Sequence, residues 1–244
     1  MTDRRSFLAG AGAAGALALA GCLGTGAGNG SDGDDRTESD SGATTAASGD
    51  ATGDGEGPLG GHPAAQGIGE APTLGPAVGE TGDAIVAFED PSCRTCRRFE
   101  TETFPRIESD LVGEGVAFVY RVFPIVFEWG KPASQALKAT YARDDDAFSA
   151  LKDHYYAEQD AFDAGNVLDR TASFLSSETS VDADGVVADA EERAFDDRVR
   201  ADVEAGEAAG VSATPTFYLF SGGEFETEVT GAKDYTVFAA ALGY

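Results

Sequence analysis

The chain has 244 residues, enough for one or two domains, with 43 acidic against 17 basic side chains and a formal net charge of -26. A surface this acidic repels phosphate backbones and anionic headgroups, which excludes nucleic-acid binding as a main role. The acids are spread along the whole sequence, the pattern of a protein kept dispersed in high salt, where the Debye length falls to roughly 3 Å at 1 M. A halophilic, haloarchaeal source is expected.

The first element is an address. "MTDRRSFLAGAGAAGALALAGC" joins Arg4-Arg5 to a short run of small apolar residues, the build of a twin-arginine export signal. The run from Ser6 to Gly21 is too short and too rich in Gly and Ala for a membrane span, which needs ~20 predominantly apolar residues. It ends in Leu19-Ala20-Gly21-Cys22, which resembles a lipobox, so Cys22 is the expected lipidation site and residues 1–22 the signal. One lipid would attach the protein to the outer face of the membrane without spanning it.

Residues 23–68 read as a linker of Gly, Ser, Thr, Ala and Asp, and no aromatic residue lies between Phe7 and Phe88. Such a stretch buries too little apolar area to offset chain entropy. About 40 residues of flexible coil would reach roughly 35 Å. His62, near its end, is expected to be solvated.

The folded part is expected over residues 70–244. "AIVAFED" (84–90) predicts a buried strand and "CRRFETETFPRIESDLV" a helix broken near Pro105. "GVAFVYRVFP" (115–124) predicts a second strand with Val116, Phe118, Tyr120 and Val122 on one face, completing a right-handed βαβ unit. Residues 132–209 predict a set of helices whose charges read as solvated faces, the last being one long helix over "DADGVVADAEERAFDDRVRADVEAGEAAG". His154, beside Tyr155 and Tyr156, reads as a structural histidine. "TPTFYLF" (214–220), a Gly-Gly turn and "DYTVFAAALGY" predict a strand, a hairpin and a closing helix.

Two of the three cysteines, Cys93 and Cys96, form a C-x-x-C pair between the first strand and the first helix. Unpaired N–H groups and the positive dipole end at a helix start favour an anion. A thiol there falls to ~3.5–7.5 from about 8.5, and Arg94, Arg97 and Arg98 would add to the effect. Cys93 is then the exposed nucleophile and Cys96, one turn on and more buried, the resolving thiol. Other uses of the pair fit the sequence less well. Zinc would have to recruit His62 and His154, Cu(I) lacks an evident third ligand, and a structural disulfide over so short a loop stabilises little. No metal or other cofactor is expected.

With "VAFEDPSCRTCRRF", the helical insert and "AAGVSATPTFYLF" before a hairpin and final helix, the chain resembles the DsbA-like thiol–disulfide oxidoreductases of the thioredoxin superfamily. The resemblance implies an α/β, thioredoxin-like fold with a helical insertion, about 132–209, between the βαβ half and the ββα half. It implies that Pro215 is cis and faces Cys93 and Cys96, and that the Thr214 backbone accepts an extended client segment. Arg94, Thr95, Thr214 and Pro215 would shape the site. It further implies exchange of disulfides with cysteine-containing client proteins outside the cytoplasm, a recycling partner the sequence does not identify, and a monomer. Two departures leave the redox direction open. Arg-Thr stands where the strong oxidases carry Pro-His, and Ala87 stands where family members often place a buried acid, with Glu89 and Asp90 nearer. A lipid-anchored binding or scaffold protein, or a Cu(I) delivery protein, on the same fold are the alternatives.

Overall fold

The computed structural model describes residues 57–244. The predicted signal at 1–22, Cys22 and the linker as far as 56 lie outside the described residues.

The core is a five-stranded sheet in the order β1-β3-β2-β4-β5, with β1 at Thr73–Leu74, β2 at Ala84–Glu89, β3 at Ala117–Val122, β4 at Thr216–Ser221 and β5 at Glu224–Thr230. β2 and β3 are parallel, with Ala87 opposite Tyr120, and every other pairing is antiparallel. The two central strands are buried on both faces, which is why they read as unbroken apolar runs. The period of two still sorts them. Ile85, Ala87, Phe118, Tyr120, Phe217 and Leu219 pack on one face, and Ala84, Val86, Phe88, Val119, Tyr218 and Phe220 on the other.

The first face carries α1 (Arg94–Glu102) and, at the end of the chain, α8 (Tyr235–Leu242). Phe99 of α1 lies 4.4 Å from the Phe217 ring and 5.7 Å from that of Phe238, tying both helices to β4. The break expected near Pro105 is present: α1 ends at Glu102, a single turn, α2, spans Phe104–Arg106, and a widened π turn follows over Ile107–Val112. The helical insertion contains α3 (Gly130–Tyr141), α4 (Asp145–Ala157), α5 (Val167–Glu178) and α6 (Ala183–Glu192).

Three expectations change. The long last helix is two. Arg193 takes a left-handed conformation (φ 55) and caps α6, after which α7 (Asp196–Ala209) returns along the second face of the sheet. Val186 and Ala190 of α6 point inward, but Ala194 lies in the break and is exposed.

The packed region also begins before residue 70. Residues 58–71 form three short 3₁₀ turns whose Leu59, Ala64, Ala65, Ile68 and Ala71 cover the second face of the sheet. His62 is accordingly half-buried rather than free in solvent. Its Nδ1 accepts from Ala64 N–H at 3.1 Å and its ring stacks on Phe225 at 4.7 Å.

Lastly, not every helix charge is a solvated face. Arg121 and Lys138 are both buried against the Asp202 carboxylate, and Arg121 also donates to the carbonyls of Ala64 (2.8 Å) and Gln66 (2.7 Å). This cluster fastens the 58–71 segment, β3, α3 and α7 together.

Candidate active site

β2 stops at Glu89, and Asp90-Pro91-Ser92 turn the chain so that Cys93 N–H donates to Asp90 O at 2.9 Å. Cys93 is the N-cap of α1 in extended conformation (φ -81, ψ 123), so its sulfur faces the free N–H groups of the first turn. The insertion supports this turn from the side: Gln159 Nε2, just beyond α4, donates to the carbonyls of Pro91 (2.8 Å) and Cys93 (3.1 Å). Across from the helix start lies the segment leading into β4. There the Thr214–Pro215 bond is cis, and Cys93 Sγ donates to Thr214 O at 3.3 Å. Residues more than a hundred positions apart in sequence are thus brought together, as the resemblance implies.

The two sulfurs are both free thiols and differ in environment. Hydrogen bonding from the Cys96 thiol, with the N–H groups of Cys96 and Thr95, outweighs burial and lowers Cys93 to about 5. Cys93 is not the exposed sulfur the sequence suggests: it is buried with 6% of its surface open, whereas Cys96 keeps none. Burial, then the hydrogen bond to Cys93, then nearby Glu89 push Cys96 well above the ordinary thiol value. The expected help from arginine is not what lowers Cys93. Arg94 is 80% exposed and 3.8 Å from Asp160, Arg97 pairs with the same Asp160 at 2.7 Å, and Arg98 reaches Ala232 O at 3.5 Å. These side chains point outward, and two of them bind α1 to the insertion. Thr95 contributes its backbone N–H.

Beneath the cysteines is a polar network that helix patterning did not reveal. Glu89 is fully buried, and neither carboxylate oxygen has a hydrogen-bond donor. Burial first, then its neighbour Glu100, raise it well above the ordinary carboxylate range. Glu100 is ion-paired with buried Lys152, and Lys152 Nζ lies 3.1 Å from Asp153, a surface residue. Tyr120 and Tyr156 hydroxyls meet at 2.8 Å nearby. Glu89 follows Ala87 on the same strand face, so the buried acid sits two residues further along β2 than the family pattern puts it. The signal was a lone acid closing an apolar strand. Glu100, Lys152 and Gln159 gave none, because acids and bases on a helix of this chain are commonplace.

The two histidines that a zinc site would have to recruit lie elsewhere. His154 is stacked on Phe174 at 4.1 Å, and His62 is on the opposite side of the sheet. Among the described residues no three His, Cys, Asp or Glu side chains group as a metal site.

Fold and site together define an α/β protein with a paired-thiol helix start facing a cis-proline segment. The family model described as thioredoxin matches residues 76–233, and the chain belongs to that family. Among solved structures it is similar to BdbD of Bacillus subtilis in its oxidised form, with a TM-score of 0.63 and 20% identity over 72% of this chain and 95% of that one. It is similar to the thiol-disulfide exchange protein alpha-DsbA2 of Wolbachia pipientis, with a TM-score of 0.56 and 19% identity over 71% and 86%. ScsC of Proteus mirabilis in a compact conformation gives 0.55 and 22% over 74% of each chain. No curated protein matches the chain in sequence.

Proposed function

We propose that the protein is an exported thiol–disulfide oxidoreductase that exchanges disulfides with cysteine-containing proteins through Cys93 and Cys96. The observation that carries this reading is the unequal pair: a thiol lowered to about 5 at the helix start, and a raised, fully buried one behind it. That one of the similar structures is of a thiol-disulfide exchange protein supports it further.

In the reducing direction the Cys93 thiolate attacks one sulfur of a client disulfide. The client S–S bond breaks, a mixed disulfide forms, and the second client sulfur leaves as thiolate. Cys96 then sheds its proton through Glu89, which releases the proton it holds toward the surface as it takes the one from Cys96, and attacks the Cys93 sulfur. The mixed disulfide breaks, the first client thiolate leaves, and the Cys93–Cys96 bond closes. Two electrons pass from the dithiol to the client. Run backwards, the same steps oxidise client thiols. A stabilised thiolate favours the reduced dithiol, which makes the disulfide form the better oxidant. We therefore assign the oxidising direction. A client strand laid along the Thr214 segment, held 3.3 Å from Cys93 Sγ, would present its own sulfur to Cys93.

The twin-arginine signal, lipidation of Cys22, the linker, a halophilic source and a monomeric state complete the proposal. They place a tethered catalyst at the outer membrane face, where protein disulfides persist. Among the described residues no helix is long and apolar enough to cross a membrane. The test is the equilibrium of the Cys93–Cys96 pair with glutathione. A potential between about -220 and -120 mV is expected. A value below about -300 mV, where structural disulfides lie, would contradict the reading.

A further inference from the structure

A cavity of about 510 Å³ opens where α3 meets α5, α6 and the start of α7, and none of its lining residues belongs to the cysteine turn. Its walls are apolar and stiff. Pro124 and Pro132 contribute rings of little freedom, and Leu168 of α5 and Val199 of α7 are half-buried against the core.

The polar part is built around Gln135 of α3. This side chain is 4% exposed, and its Nε2 donates to Asp196 Oδ1 at 3.2 Å. The carboxylate fixes which way the amide lies, because the reversed amide would set two acceptors against each other. Gln135 Oε1 is buried and has no donor among the described residues. An amide oxygen left in this way costs free energy that a guest's donor would recover. The last torsion of a glutamine is broad, so a small turn of the amide brings Oε1 to a guest. Asp196 offers a second acceptor. Arg193 Nε (3.2 Å) and Nη2 (2.6 Å) also end on its Oδ1, so one oxygen takes all three bonds and Oδ2 takes none of them.

Charge sets the sign of the guest. Around the cavity Lys131 and Arg193 stand against Glu128, Glu191 and Asp196, two bases against three acids. The surplus is negative, in a chain whose net charge of -26 already gathers cations. Two bare acceptors and a surplus acid call for a guest that is positive and donates. The apolar walls call for a hydrocarbon body on it.

We propose that this cavity binds a small organic ammonium compound with an apolar body, its N–H groups on Gln135 Oε1 and Asp196 Oδ2 and its body between Leu168, Val199 and the two prolines. The site is separate from the exchange reaction and does not depend on it. Its walls come from both the helical insertion and α7, so an occupied site fastens the one to the other.

The test titrates the full-length protein with phenethylammonium and follows the amide NMR signals of residues 131–135 and 190–199. A Kd on the order of 1 mM is expected for a compound of this size. Phenylacetate, a similar ring with the opposite charge, should bind at least about tenfold more weakly. So should N-acetyl-lysine amide, which presents an ammonium as a protein would. Gln135→Met, which keeps the volume and removes the acceptor, should weaken phenethylammonium about tenfold. Asp196→Asn, which keeps the shape and loses the charge, should do the same. No shift in the wild type, or phenylacetate binding as tightly, overturns the site. N-acetyl-lysine amide binding as tightly overturns the small guest in favour of a partner's lysine. Unchanged affinity in folded Gln135→Met overturns the assignment of the acceptor; if that variant does not fold, unchanged affinity in Asp196→Asn overturns the site.

Discussion

Cys93 gives up its proton below neutrality because hydrogen-bond donors of the first helical turn converge on it, Cys96 foremost. Alkylation of Cys93 in the reduced protein should therefore rise with pH around a midpoint near 5 and be flat above neutrality, whereas an ordinary thiol would rise near 8.5. The same shift is a stability statement. A depressed thiol favours the folded reduced form fully above the unfolded value, about 9, and the advantage is lost as pH falls through about 5. Melting the reduced and oxidised forms across that window measures it. Glu89 has the opposite sign. Its raised carboxyl holds a proton in the folded state that the unfolded chain releases above 4.5, so its contribution falls as pH climbs past that value. Glu89→Gln should stabilise the protein at neutral pH by roughly 0.5–2 kcal/mol, yet slow closure of the Cys93–Cys96 bond on the order of 10²-fold. Denaturant melts and the lifetime of the mixed disulfide check both. A variant that is more stable but resolves at the wild-type rate would remove Glu89 from the proton path.

Among the elements, the parts that repeat a simple period were legible and the parts that depend on distant partners were not. β2, β3 and β4 announce themselves as apolar runs, and the kink at Pro105 follows from a missing N–H. The C-x-x-C and Thr-Pro motifs were visible as residues, but only folding shows Cys93 Sγ against Thr214 O. The left-handed Arg193 carries no sequence signal, because nothing in its residue type asks for φ > 0. The segment 58–71 looked like linker because its core-forming residues are mostly alanine. Its attachment depends on Arg121 and Asp202, two of the many charges in a chain where charge is cheap information. Asp202→Ala would leave Arg121 and Lys138 buried without a counter-charge, a change expected to destabilise by about 3–5 kcal/mol. Hydrogen exchange should then quicken over residues 58–71 before the rest of the sheet. A loss under about 1 kcal/mol would mean that water reaches the cluster.

At the scale of the whole molecule, the sheet separates two tasks. One face holds the cysteine turn, the Glu89–Glu100–Lys152 network and the helical insertion, and the other is sealed by α7 and the 58–71 segment. The acidic surface keeps the chain dispersed, and reactivity is concentrated at one sulfur at the start of α1. The measurement that bears most directly on this account is mass analysis of folded Cys96→Ala mixed with a disulfide-linked peptide at neutral pH. One covalent adduct should accumulate, bonded to Cys93 and released by reductant. A folded variant that carries no peptide, or carries it elsewhere than on Cys93, would contradict it.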